Sequence, residues 1–465
     1  MPEKSTFALY VAHRAVFTPG PLAEARETVS ELLNSWGHKV LMLPSDATAF
    51  GGAIESAAEG RVFANFLAAH RGEYQGVVCV LPNFGNENGA LAALAHADVP
   101  IFLQAYPDDM TRMSLADRRD AFCGKLSMMN VFNQAGIPFT IDKPHTVSPH
   151  DPRFKASIDY FDRVCKVVAG LKDIHVGAIG ARTTPFKTVR VDEATLQRYG
   201  ISVETLDMAE ILWRVNKLQA PEALSDKIAF MQQYADWRDT PVQSIEKLAR
   251  LAIVLDQVID EYHLSALALR CWDELPQQLG VAGCILLGML NERLVPAACE
   301  VDVCSAVAMQ ALRLASGGPA ACLDWNNNYY DEDDKCILFH CGPVPASLMA
   351  APSPVTGHDM MANQPAGCHV GRLLPGGISF GNMATIDGDM RFFLGEGAIT
   401  ADSIPEDFFG VCGVAHIPDL QNVLVHMGRF GHRHHVAITR GHVTKAVREA
   451  LDNYIGCEVF VPQEG

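Results

Sequence analysis

Glu300 and Asp324 stand 24 residues apart, each at the end of an apolar run: Pro296-Ala-Ala-Cys-Glu-Val-Asp302 and Ala321-Cys-Leu-Asp-Trp-Asn326. Far downstream comes a histidine cluster, His432-Arg-His-His435. Two separated carboxylates and a distant imidazole are a donor set for one hard divalent cation, with coordination positions left for a substrate. Each residue alone also has a plainer role open to it. Glu300 complements a helix N-terminus, and Asp324 makes an Asx turn. His434, His435 and His340 (in Phe339-His-Cys-Gly342) are ordinary histidines at strand ends. Only the conjunction makes a site.

The elements that must position these residues follow from apolar periodicity. Strands are expected at 6–12, 39–43, 76–82, 99–104 and 138–141, with helices at 21–36, near 60–71 and at 115–135. This alternation makes a doubly wound parallel sheet. An amphipathic helix at 151–170 precedes a second such pattern. It has strands at 174–180 and 201–206, helices at 192–199, 221–263, 282–290 and 302–315, and strands at 319–324 and 336–340. After about residue 350 the text turns Gly- and Pro-rich, with alternating strands and a hairpin signal at Asp387-Gly388. It closes with a strand at 436–439, a helix at 442–454 and a strand at 457–461. The expected fold is α/β: two doubly wound, Rossmann-like parallel-sheet domains (1–170 and 171–350) and a β-rich C-terminal domain (351–465) carrying the histidines.

Composition narrows the function. The chain has 465 residues, 49% of them hydrophobic, enough for large cores. A net charge of −17 argues against nucleic acid and anionic membrane as partners. No run of about 18 apolar residues is present, and Met-Pro-Glu-Lys-Ser-Thr-Phe-Ala-Leu-Tyr-Val-Ala reads as a first strand rather than a leader. A soluble cytoplasmic protein is expected. The 13 cysteines form no CxxC pair, and seven fall between Cys271 and Cys341, mostly in apolar runs. They read as reduced, buried small side chains.

The remaining motifs mostly exclude. Gly177-Ala-Ile-Gly-Ala-Arg182 follows a strand, but its glycine spacing and Thr183-Thr-Pro185 are wrong for a dinucleotide fingerprint, so no nicotinamide is expected. It reads either as a loop that offers Arg182 to a crevice or as a purely structural turn. Asn83-Phe-Gly-Asn-Glu-Asn-Gly89 and His13-Arg14 are loops of the same kind at strand ends. GxxxxGK[ST] and HExxH are absent.

Residues 271–342 combine Cys-Trp272, Gly280, Gly-Cys284, Leu-Asn-Glu-Arg-Leu-Val-Pro-Ala-Ala-Cys-Glu-Val-Asp-Val303, Asp324 and His-Cys-Gly342, followed downstream by His435-Val-Ala-Ile-Thr-Arg-Gly441. This text resembles the L-fucose isomerase and L-arabinose isomerase superfamily, most closely its shorter fucose isomerase-like branch. The resemblance implies a homo-oligomer, trimer or hexamer, that interconverts an aldose and a ketose with Mn²⁺, or with Mg²⁺ or Co²⁺ in its place. It implies Glu300, Asp324 and His435 as metal ligands, with His434 as the alternative histidine. Glu300 and Asp324 would also be the proton-transfer pair, acting through a cis-enediol. Candidate substrate contacts are Arg182, Trp272, Asn326, His340 and His434, with His13 and Arg14 offered across a subunit interface. The sugar is either neutral, fucose- or arabinose-like, or anionic, phosphorylated or sulfonated. Two other classes compete: a sugar-binding or regulatory α/β protein without catalysis, and a metal-dependent epimerase or lyase.

Overall fold

A computed structural model of the chain describes residues 4–462. It divides into two compact units, one of residues 1–169 with 449–456, the other of 170–448 with 457–465.

In the first unit, strands β1 (Thr6–Val11), β2 (Lys39–Met42), β3 (Gly76–Leu81) and β4 (Ile101–Ala105) form a parallel sheet of order β2-β1-β3-β4. Every residue of β3 and β4 is buried, because helices cover both faces of a parallel sheet and leave its strands no solvent side. Two cores result. One packs Tyr10, Phe63, Leu81 and Phe132; the other packs Phe7, Leu33, Phe154 and Phe161.

The second unit repeats the strand order. β5 (Ile174–Ile179), β6 (Ile201–Leu206), β7 (Leu264–Leu269) and β8 (Ala297–Cys299) are parallel in the order β6-β5-β7-β8. Next come β9 (Ala320–Asn328) and β10 (Lys335–His340), a small ribbon of β11 (Val355–Gly357) and β12 (Ala366–His369), then β13 (Gly371–Arg372), β14 (Gly376–Ile386), β15 (Asp389–Ile399), β16 (Val411–His416), β17 (His435–Arg440) and β18 (Glu458–Phe460). The order β13-β16-β10-β9-β17-β14-β15-β18, with β15 also pairing β16, closes six of these strands into a barrel. At the tip of the β14–β15 hairpin Asp387 and Gly388 both take positive φ, 53° and 84°, as a tight two-residue hairpin turn requires.

The helix Val303–Ser316 joins sheet and barrel. It lies against β5, β7 and β8 on one side and β9, β14 and β17 on the other. Nearly all its residues are buried, as expected of a helix apolar all round. Its N-terminus therefore lies where the carboxyl end of β8 meets the barrel strands.

Candidate metal centre

Glu300 is the first residue past β8, where ligands gather at the carboxyl ends of a parallel sheet. Glu300 and Val301 both adopt left-handed backbone, at φ 64° and 61°. For a β-branched residue this costs on the order of 1–3 kcal/mol. The two-residue turn carries the chain from strand to helix within three residues, and Asp302 then caps that helix by accepting from Ser305 N at 3.0 Å. Asp324 lies on β9 directly opposite His435 on β17 and opposite Phe339 on β10.

These residues converge. His435 Nε2 lies 3.3 Å from Glu300 Oε2 and 3.4 Å from Asp324 Oδ1, yet makes no well-formed hydrogen bond with either. Its other nitrogen, Nδ1, donates to Asp302 Oδ2 at 2.7 Å. That bond fixes the tautomer, so the Nε2 lone pair faces the two carboxylates, the arrangement of a metal-ligating histidine with its carboxylate support. Asp302 is fully buried, and the Ser305 hydroxyl (2.7 Å) and the Arg433 guanidinium complete its partners. Among the described residues, Asp324 Oδ1 and His340 Nε2 are also buried without hydrogen-bond partners. Orphaned buried polar atoms are rare and need a reason. Here they meet around one point, with Glu300, His434 and His435, and Asp324, His340 and His435, forming two overlapping ligand groups. Oxygen donors with a single imidazole fit a hard divalent cation.

Electrostatics agree with that fit. Burial acts to raise the Glu300 carboxyl, but the approach of His435 and the charges of His435 and His340 hold it below the usual range. Burial likewise opposes ionisation of Asp302, and Arg433 and His435 keep it far below. Burial disfavours a charged His435, yet Cys322, Asp302 and Glu300 push it well above an ordinary histidine. The surroundings are thus arranged to hold positive charge at this point.

The other candidates separate. Trp272 donates from Nε1 to Glu300 Oε1 at 3.1 Å, so it joins the site. His340 accepts from Cys341 N on Nδ1 (2.9 Å), which leaves its Nε2 as a proton donor facing the cluster rather than a free lone pair. His434 is half-exposed, 3.7 Å from Asp324, and among the described residues no hydrogen bond fixes its ring. Asn326 bonds its neighbour Asn327 and lines a separate cavity of about 410 Å³ with Tyr330 and Lys335. Arg182 turns back onto the carbonyls of Thr183 and Thr184. In the first unit, His13 is buried against Asn83, and Arg14 pairs with Glu87 over the Phe84 ring. Sequence reasoning missed Asp302 and Arg433. Asp302 follows Glu300 by two residues and reads simply as a helix cap, and its pairing to Arg433 spans 131 residues.

Comparison with known proteins defines the class. Residues 8–172 match the N-terminal domain described as fucose/sulfoquinovose isomerase, and residues 338–461 match the L-fucose isomerase C-terminal domain. A sulfoquinovose isomerase of Alkalicoccus urumqiensis is 26% identical over 316 residues, 65% of this chain and 68% of that protein. Those of a Clostridium species and of Priestia aryabhattai are each 26% identical, over 206 and 219 residues. These two alignments cover 44% and 47% of this chain, and 46% and 47% of the relatives. The class is a sugar isomerase of the aldose–ketose type. The chain belongs to the fucose isomerase-like family.

Proposed function

We propose that the chain is a metal-dependent isomerase of an open-chain sugar carrying an anionic sulfonate. In this reading Glu300, Asp324 and His435 hold a Mn²⁺-like cation. The supporting observation is the convergence of Glu300 Oε2 and Asp324 Oδ1 on the lone-pair nitrogen of His435. His435 rather than His434 is the ligand, because Asp302 holds only His435 in the required tautomer. A bound cation would supply Lewis acidity to the sugar's reacting oxygens. The protein's own groups move the protons. One carboxylate of the pair Glu300 and Asp324 takes the proton from C2 and returns it to C1. The other relays the hydroxyl proton from O2 to O1 through a cis-enediol. Trp272 donates to Glu300 Oε1 and so orients the carboxylate, with Oε2 turned towards His435. Asp324 keeps about a fifth of its side chain exposed, enough to meet a substrate. His340 donates from Nε2 to a sugar oxygen.

A sulfonated hexose is favoured because the relatives are sulfoquinovose isomerases. A homo-oligomer is part of the same reading. The test is a panel of sulfonated, phosphorylated and neutral aldoses, with product analysis. EDTA should abolish turnover of sulfoquinovose and Mn²⁺ should restore it. Turnover that survives thorough chelation would remove the metal from the mechanism. Wild-type turnover by metal-loaded Asp324→Asn would remove its proton-transfer role.

A further inference from the structure

Behind the carboxylates lies a second cluster of different chemistry. Cys284 opens the helix Cys284–Glu292, Cys341 follows β10, Cys368 lies on β12 and His358 follows β11. All four are buried. Cys284, Cys341 and Cys368 pack in one small core with Ala282. The Sγ atoms of Cys284 and Cys368 are 3.9 Å apart, and the thiol of Cys341 contacts that of Cys284. A His358 ring nitrogen lies within 4.8 Å of both Cys284 and Cys368. Among the described residues, neither ring nitrogen of His358 has a hydrogen-bond partner in another residue, although the side chain is wholly enclosed.

The backbone is shaped to bring these groups together. Gly367, beside Cys368, has φ 133°, and a Cβ there would lie 1.8 Å from Ala282 O. Gly342, beside Cys341, has φ 148°, and a Cβ there would lie 2.7 Å from His369 N. Ala282 N donates to Ala366 O at 2.8 Å, which ties the approach to Cys284 onto β12. Three distant segments thus meet at contact distances that only glycine allows.

We propose that Cys284, Cys368 and His358, with Cys341 packed beside them, form the core of a second metal site, for a thiophilic divalent cation such as Zn²⁺. Soft thiolates with one imidazole select such an ion, whereas the oxygen-rich centre at Glu300 selects a hard one. Tetrahedral coordination with Zn–S bonds of about 2.3 Å sets sulfurs about 3.8 Å apart, which matches the Cys284–Cys368 separation. Each thiol releases its proton as its sulfur takes the cation. The enclosed His358, short of partners for its ring nitrogens, then gains one. The role is structural. The His358 ring stands edge-on to Trp272 at 5.5 Å, and Trp272 orients Glu300. Cys341 likewise adjoins His340, which accepts its backbone N–H.

The inference stands apart from the isomerase reading, because its test reads sulfur ligation rather than turnover. The full-length chain, purified under reducing conditions and loaded with Co²⁺, should show an intense thiolate-to-cobalt charge-transfer band. The double variant Glu300→Gln/Asp324→Asn should keep that band and one bound metal per chain. Cys368→Ser should lose the band and one equivalent of metal, and His358→Gln should shift it. Absence of the band in the unmodified chain would overturn the site without recourse to any variant. So would its persistence in Cys284→Ser/Cys368→Ser.

Discussion

His435 can present a lone pair to the cluster only as one tautomer, and Asp302 decides which. Asp302→Asn keeps the volume but loses the charge that orders Nδ1–H and that answers Arg433. Carboxylates in this supporting position are worth roughly 10–100-fold in metal affinity. We expect Mn²⁺ titration of Asp302→Asn to show a loss of that size, with most of kcat recovered at saturating metal. Normal metal affinity with a collapsed kcat would mean that Asp302 does more than position His435. Arg433 tests the same unit from the other side. Arg433→Met leaves the fully buried Asp302 short of its cation, and breaking a buried pair costs about 3–5 kcal/mol. Urea unfolding should show it, whereas a loss below about 1 kcal/mol would mean that Ser305 and His435 satisfy Asp302 unaided. Glu300 and Asp324 stood out in sequence by residue type and by their place at the ends of apolar runs, and only the family resemblance singled out His435 from its cluster. Asp302 was not, because a helix cap and a support for a histidine look alike until the histidine is seen. Arg433 was visible only as part of a basic cluster, since nothing local announces a buried partner.

Among the elements, legibility followed locality. The buried runs of β3 and β4, the return of the pattern at β5, and the Asp387-Gly388 turn all carry their signals within a few residues. Apolar text likewise marks β9 and β10 as strands. Nothing in that text says which sheet they join, and the pairings that place them in the barrel, β9 with β17 and β10 with β16, span some 70 to 120 residues of sequence. Closure through β15 and β16 has no local mark. The ribbon of β11 and β12 depends on close approach rather than on propensity, and Gly367 carries the greatest demand. Alanine there meets both an unfavourable φ and the carbonyl of Ala282. We expect Gly367→Ala to lower stability by about 3 kcal/mol or more, since strain and overpacking each cost about 1–3 kcal/mol. A thermal melt within a degree of wild type would show that β12 can move away from Ala282, and the packing around Cys368 would then be softer than described.

At the scale of the whole chain, the C-terminal segment returns to the first unit. Glu449–Gly456 belongs there, where Tyr454 OH bonds Thr140 Oγ1 at 2.8 Å and Ile101 O at 3.3 Å. Within that unit Asp162 ties the first strand to the helix Pro152–Leu171. It accepts from Ser5 N at 3.0 Å, pairs with Lys166 at 2.8 Å and lies 3.5 Å from Lys4. Burial acts to raise the Asp162 carboxyl, but the bonds from Lys166 and Ser5 win and its pKa falls below the ordinary value. A carboxyl whose folded pKa is depressed contributes stability that is present above its unfolded pKa, about 3.9, and is lost as pH falls through the folded value. Lys4, whose pKa is raised although burial works to lower it, contributes in the opposite sense, with stability lost only as pH climbs through its folded value. The pair therefore supports the unit across the whole neutral range and fails first on the acid side. Hydrogen bonds to a charged group are worth about 1.5–3 kcal/mol, and the partial exposure of both lysines sets the lower end of that range here. Asp162→Asn should thus cost about 1.5 kcal/mol at pH 7, read by hydrogen exchange of the β1 amides. The difference from wild type should shrink steadily as pH falls from about 4 through the lower folded pKa of Asp162, beneath which both chains carry a neutral side chain at this position. A deficit that stayed constant from pH 7 to pH 3 would assign the effect to packing and remove the ion pair from the account.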